Sequence, residues 1–366
     1  MAWKKVKIQR ENGEWAEAQA PEIISASRST DIPAFYADWF FHRLKVGYSA
    51  WTNPFNGVKS YISYQDTRFI VFWSKNPRPL LKHLPFLHNP TIAGINKEPI
   101  NCYLQYTLND YDLEGLEQKV PKVQNRIDTF KRLVEILGFG HVIWRFDPMI
   151  LTDRIHIEDL LSKVFNIGEQ LKGYTEKLVF SFADILEYAK VKRNLENSGI
   201  NYVPWQEEQM IYFASQLAEL NKPWGFELAT CGEKEIFTKY GIKKNSCVDD
   251  TLMIKLASSD AVLMKYLGVE IHNINENSLG TLFDVPEANN IPSDAILLSN
   301  GKYAVKTKNN KDKGQRALCG CMVSKDIGEY NTCPHLCEYC YANANKECAL
   351  QNYRRHNLEP LSESII

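Results

Sequence analysis

The sequence predicts an α/β fold, a complete or partial β/α barrel of the TIM type with a C-terminal cysteine-rich segment. Three observations lead there. Short β-rich runs alternate with amphipathic helical stretches at least six times in the first ~250 residues, which indicates a parallel sheet. No G-x-G-x-x-G follows a strand and no phosphate-binding P-loop signature is present, so a doubly wound dinucleotide fold fits less well. Six of the nine cysteines fall in the last 48 residues, where random scatter would put about one.

The elements follow in order. Residues 23–27 (IISAS) read as a strand and residues 34–44 as its helix. Residues 69–74 (FIVFWS) form a second strand, with a helix near 79–86. Residues 47–51 and 61–64 suggest a further strand and a hairpin piece. Residues 102–107 (CYLQYT) are a strand. Val120, Val123, Ile127, Phe130, Leu133, Val134 and Leu137 then recur at helical spacing. Residues 142–146 (VIWRF) are a strand and 157–171 a helix. The same alternation gives strands at 178–181 and 225–228, and helices at 207–220 and 233–240.

After residue 250 the rhythm weakens. Residues 252–267 look helical, 275–290 polar and loop-like, and 295–305 a small hairpin around Ser299-Asn300-Gly301. Three regions result: a β/α barrel over 1–250, an irregular α+β extension over 251–318, and a cysteine-rich segment over 319–366.

The chain has 366 residues, 44% apolar and 24% charged, with net charge −1. That excludes a globally basic nucleic-acid binder and, for most of the chain, disorder. One local basic run, Lys306 to Arg316, holds five basic residues and one acid. It reads as a solvated loop or as a contact for phosphates. No stretch nears ~18 consecutive apolar residues, so no membrane partner is expected. The start lacks an apolar signal region, and the reading is a cytoplasmic protein.

Chemistry in a β/α barrel sits at the C-terminal strand ends. Here those ends are polar: Ser27, Arg28, Ser29 and Asp31; Ser74, Lys75 and Asn76; Gln105 and Thr107; Arg145 and Asp147; Ser181 and Asp184; Glu227, Cys231 and Glu233. Strand parity sends Val142, Trp144 and Phe146 to the helices, and Ile143, Arg145 and Asp147 inward. A fixed Arg145 could grip a carboxylate or phosphate bidentately. Glu227 and Cys231 fall on the inner side by the same parity. Arg145, Asp147, Glu227 and Lys75 are the candidate catalytic set. Ser27, Arg28, Asp31, Gln105 and Tyr341 are the candidates for binding a cofactor. Simpler roles compete: Asp31 as a helix N-cap before Pro33, Asp147-Pro148 as a turn, Arg145 as a structural ion pair.

The tail reads CGCMVSKDIGEYNTCPHLCEYCYANANKEC from Cys319. Cys333, Cys337 and Cys340 have the spacing C-x3-C-x2-C. Three soft thiolates within eight residues can hold an iron–sulfur cluster, leaving one iron for another ligand. Zinc is the competing reading, closed by His335 or Cys348, although C-x3-C is less usual for it. Cys231, Cys247, Cys319 and Cys321 supply four more thiolates, enough for a second cluster or a tetrahedral zinc. Cys102 reads as a small core residue and Cys348 as unligated.

The C-x3-C-x2-C motif, with Tyr339 before its last cysteine and Tyr341 after it, resembles the cluster motif of radical S-adenosylmethionine enzymes. The whole chain resembles an uncharacterised bacterial family, domain of unknown function number eighteen forty-eight. That resemblance runs through SRSTDIPAFY, NPFN, FWSKNP, WRFDP and the cysteine-rich tail. It implies a [4Fe-4S] cluster on Cys333, Cys337 and Cys340, S-adenosylmethionine on its open iron, and a reducing electron donor as partner. The substrate stays open: a small molecule, or a nucleic acid as in photoproduct-lyase-like relatives. A non-catalytic iron–sulfur sensor is the alternative. Two features depart from radical enzymes. The motif lies about 26 residues from the end rather than after the first strand, so the tail must fold back over the barrel mouth. No Gly-Gly-Glu stretch follows a second strand.

Overall fold

The computed structural model describes residues 3–54, 56–233, 235–274, 291–316 and 318–366, and the predicted loop at 275–290 lies outside them. At its centre is one eight-stranded sheet. Its strands lie side by side as Lys243–Lys244, Glu227–Thr230, Lys177–Phe182, Val142–Met149, Asn101–Thr107, Phe69–Ser74, Ile23–Ala26 and Lys325–Asp326. Every neighbouring pair is parallel. Seven of the strands run in unbroken chain order, as successive β/α units produce. The eighth comes from the tail and pairs Lys325 with Ile24 and Asp326 with Ser25. Among the described residues no pairing joins Lys243–Lys244 to Lys325–Asp326, so the sheet is open and closure into a barrel is not seen.

Period two decides the two faces. Ile24, Ala26, Ile70, Phe72, Leu104, Tyr106, Trp144, Phe146, Leu178, Phe180 and Leu228 face one layer of buried residues, shared with the helices. Ile23, Phe69, Val71, Tyr103, Ile143 and Val179 face the other, shared with residues of 247–267 and with Cys321 and Met322. The expected parity of residues 142–146 is thus observed. The region after residue 250 packs on the sheet's second face through the helices Asp250–Ala257 and Ala261–Leu267. Beside them Val269–Asn273, Lys302–Lys306 and Ile296–Leu297 form a small antiparallel sheet.

The helix Ile157–Leu171 keeps the bounds expected of it. Leu160, Val164, Ile167 and Leu171 make its buried stripe, and Asp159 reaches back to the His156 N–H at 2.8 Å. The expected helix at 34–44 is split. Ile32–Phe35 ends at Tyr36, and Ala37–Val46 ends on Gly47 in the left-handed region (φ 98°). The Ala189–Asn197 helix was not anticipated. Its polar composition offers only Val191 and Leu195 for burial.

One strand is displaced from expectation. Gly225 has φ 69° and belongs to the turn, so the strand is Glu227–Thr230 rather than 225–228. Glu227 is therefore its first residue, at the amino edge of the sheet. It pairs there with Lys177 (3.2 Å) and Lys243 (2.6 Å). Its parity was read correctly and its end of the strand was not.

Candidate functional site

The tail folds back across the carboxyl edge of the sheet. The Tyr36 hydroxyl donates to the Thr332 carbonyl at 2.6 Å, and the Trp51 indole to that of Gly328 at 3.0 Å. Tyr341 donates to the Arg28 carbonyl at 2.7 Å, and Asn194 to that of Cys340 at 3.1 Å. Gly328 permits the approach: a Cβ there would lie 1.8 Å from Ser27 Oγ. Asp326 then accepts from Ser27 Oγ (2.7 Å), Ser25 Oγ (3.0 Å) and the Arg28 N–H (2.9 Å).

This docking sets Cys333, Cys337 and Cys340 over the ends of the first three sheet strands. Asp31 is the helix N-cap, accepting from the Ala34 N–H at 3.0 Å. Its carboxylate also accepts from Ser74 Oγ and the Lys75 N–H, both at 2.7 Å, and lies 2.8 Å from His335 Nε2 inside the motif. Lys75 Nζ reaches Glu117 at 2.7 Å and the Tyr339 hydroxyl at 2.8 Å. Asn109 donates to both at 3.1 Å. Burial alone would push the Glu117 carboxyl up, but Lys75 and Arg126 outweigh it and hold it at about 2. Asn109 lies in coil and Glu117 in a single antiparallel bridge with Cys337; neither carries a periodic or motif signal, and the sequence reading missed them.

The three thiols make no hydrogen bond to one another among the described residues, yet Cys333 feels the charge of Cys340, and Cys337 that of both others. Burial pushes all three up, Cys333 to about 12. All are half-buried, so the motif opens toward the surface. The donor set is soft and compact, and Lys75 lies close enough to Cys337 and Cys340 to favour their thiolates. It suits a thiolate-held cluster, which keeps its ligands apart by one iron each.

A second group lies at the other end of the same edge. Cys231 follows the Glu227–Thr230 strand, and Cys247 follows Lys243–Lys244. Their Sγ atoms are 3.2 Å apart. Cys247 also contacts Cys321, and Cys321 contacts Cys319. Arg145 Nη1 and Asn245 Nδ2 each donate to Cys247 Sγ at 3.1 Å. Hydrogen bonding with Cys231 and Cys321, with Arg145 and Arg28 nearby, holds its thiol well below the ordinary value against the effect of burial. Among the described residues no three His, Cys, Asp or Glu side chains already converge as a metal-binding group. The four thiols form a chain of neighbours.

The remaining candidates divide. Arg145 is buried, with Nη2 bonded to Asp147 and Nη1 to both Gln105 Oε1 (3.2 Å) and Cys247. A guanidinium taken out of water must be paired, so no fork remains for an external carboxylate, contrary to expectation. Asp147 is shared with Ser181 and Arg145. Gln105 donates to the Cys247 carbonyl at 2.8 Å. Arg28 differs. Its guanidinium lies 5.3 Å over the Trp73 ring and makes no hydrogen bond among the described residues. Trp73 also lies under Arg145 (5.5 Å) and donates to Ser25 Oγ at 3.0 Å. Its inner parity was readable from FIVFWS and was overlooked. Glu227 is far from this edge, and Asp184 is exposed on it.

The basic run is largely committed within the fold. Lys306 pairs with Asp250 (3.0 Å), Lys308 reaches the Tyr266 carbonyl, and Arg316 reaches the Tyr188 hydroxyl (3.0 Å). Among the described residues no helix is long and apolar enough to cross a membrane.

The family model for Domain of unknown function (DUF1848) matches residues 23–342. Comparison with curated proteins and with solved structures finds no match. The match spans the whole parallel sheet and the three-cysteine motif, and the chain belongs to that family.

Proposed function

From that membership and the arrangement of the sheet edge, we propose that the chain is an iron–sulfur enzyme of the radical S-adenosylmethionine type. Cys333, Cys337 and Cys340 would hold a [4Fe-4S] cluster. The observation that carries this reading is the docking of C-x3-C-x2-C on the carboxyl edge of a parallel α/β sheet, through His335 on Asp31 and Tyr339 on Lys75. With S-adenosylmethionine on its open iron, a cluster held by these cysteines would supply one-electron reductive cleavage of the sulfonium, fed by an external reducing donor, and through it hydrogen-atom abstraction from substrate.

The chain's own residues have definite tasks. Lys75 offsets thiolate charge beside Cys337 and Cys340 while Glu117 and Tyr339 fix its ammonium. Asp31 ties two strand-end segments to the motif. Arg28, whose guanidinium has no hydrogen bond among the described residues, binds the carboxylate of S-adenosylmethionine or an anionic group of the substrate. The half-exposed Tyr341 ring, anchored on the Arg28 carbonyl, offers a stacking wall beside it. Arg145, Gln105, Asp147 and Ser181 are positioning residues that hold the inner floor.

Anaerobic purification followed by iron and acid-labile sulfide analysis tests the assignment. About four of each per chain are expected on these cysteines, with the acid-labile sulfide falling at least tenfold in Cys337→Ser. Full iron retention in a variant lacking Cys333, Cys337 and Cys340 would refute it.

A further inference from the structure

The second thiol group has no part in that reading, and it is a built site. Cys247 is fixed from four directions. Its carbonyl accepts from the Tyr103 hydroxyl and from Gln105, both at 2.8 Å, and its sulfur accepts from Arg145 and Asn245, both at 3.1 Å. The tail is locked against it. The Val248 N–H points at Cys321 Sγ (3.4 Å), the Met322 N–H donates to the Val248 carbonyl (2.9 Å), and Ser246 Oγ donates to the Gly320 carbonyl (2.9 Å). Gly320 lies between two of the cysteines because a Cβ there would sit 2.5 Å from Ser246 Oγ. Three separate chain segments thus deliver four thiols to one place, with Cys247 and Cys321 buried and Cys231 and Cys319 half-buried.

We propose that Cys231, Cys247, Cys319 and Cys321 bind one soft divalent metal ion of the zinc type in a closed tetrathiolate site. The spacing selects a single ion over a cluster. With metal–sulfur bonds of about 2.3 Å, the sulfurs of a tetrahedral site stand about 3.8 Å apart. The observed 3.2 Å between Cys231 and Cys247 needs only a slight opening to reach that. A cubic four-iron cluster, with one thiolate per iron, would need the sulfurs spread much further, and a two-iron cluster would need two separate thiol pairs, whereas the four thiols here adjoin in one chain. Closing the tetrahedron requires Cys231 and Cys319, at the two ends of the thiol chain, to turn toward each other. Four thiolates on a divalent ion leave a double negative charge. Arg145 and the Asn245 amide donate to the site directly, and the Arg28 and Arg316 guanidiniums stand close to its thiols. Four protein ligands leave no open position, so the ion is structural. It clasps residues 319–322 to the sheet, upstream of the strand Lys325–Asp326 and the three-cysteine motif.

The test uses the full chain with Cys333, Cys337 and Cys340 replaced by serine, which removes the other thiol group from the count. Metal analysis is expected to give about one zinc, or one iron without sulfide, per chain. Adding Cys231→Ser and Cys247→Ser should lower that at least tenfold. No metal, iron accompanied by equimolar sulfide, or a Cys231–Cys247 disulfide in the mass spectrum would each overturn the proposal. If the triple variant does not fold, zinc-edge X-ray absorption on the unaltered chain decides. Four sulfurs at about 2.3 Å support the site, and nitrogen or oxygen ligands contradict it.

Discussion

Arg28 and Arg145 carry the same charge at the same edge, and their partners give them different work. Arg145 is held by Asp147, Gln105 and Cys247, while Arg28 stacks on Trp73 with no hydrogen bond to its guanidinium among the described residues. Arg28→Ala is therefore expected to weaken S-adenosylmethionine binding by about 10-fold or more, the worth of one charge-assisted hydrogen bond. Iron content should stay unchanged. Equilibrium dialysis with labelled cofactor reads the first and iron analysis the second. A loss of cluster instead would make Arg28 structural.

Lys325 is a second residue-scale case. It is 7% exposed, with Nζ 3.3 Å from the centre of the Trp51 ring. Burial draws its ammonium from the ordinary 10.5 down to about 8, against the pull of Asp326. Below the lower value both folded and unfolded chains carry the proton, and the cost of burying it is fully present. Between about 8 and 10.5 the unfolded chain binds more protons, so this group makes stability rise with pH. The effect totals up to about 3 kcal/mol. Urea midpoints of the parent and of Lys325→Met should differ most near neutral pH and converge toward about pH 10. A constant difference would show that the lysine does not titrate there.

At the scale of elements, the close approaches at Gly320 and Gly328 decide whether the tail can dock. A methyl group on Gly328 would meet Ser27 Oγ at 1.8 Å and Ser29 Oγ at 2.6 Å. Gly328→Ala should cost about 1–3 kcal/mol by overpacking. Limited proteolysis should then cut near residues 323–330 faster than in the parent. Unchanged protection would mean that the Lys325–Asp326 strand is not held as described. Glu227→Gln should lower thermal stability modestly, through the loss of Lys177 and Lys243 as charge partners, and leave iron content alone. An effect on cofactor binding would return Glu227 to the functional edge.

Elements with strong period were legible in the sequence. Val142, Trp144 and Phe146 on one face and Arg145 on the other follow from alternation alone. Ile157–Leu171 follows from its apolar stripe. Glu227 was misplaced because GFEL looks like a strand, whereas Gly225 turns the chain first. The Cys231–Cys247 pair could be suspected from count and parity. Glu117, Asn109 and Asn245 could not, because residues outside helices and strands gain their positions only from the tertiary fold. Asp326 was hidden for another reason: its two-residue strand pairs across some 300 positions of sequence.

At the scale of the whole molecule, the parallel sheet presents two thiol groups along one edge. Three thiols lie near Asp31, Lys75 and Glu117, and four near Arg145 and Asn245. The same tail supplies the first group and half of the second. The family match over residues 23–342 includes all seven cysteines and all eight strands. The central claim is that the three-thiol group holds a redox cluster whose open iron meets S-adenosylmethionine. Electron paramagnetic resonance of the anaerobically purified, reduced chain, recorded with and without S-adenosylmethionine, tests it most directly. A [4Fe-4S] signal that shifts on adding the cofactor is the expected result. A cluster signal that does not move, or no cluster signal at all, would contradict the claim.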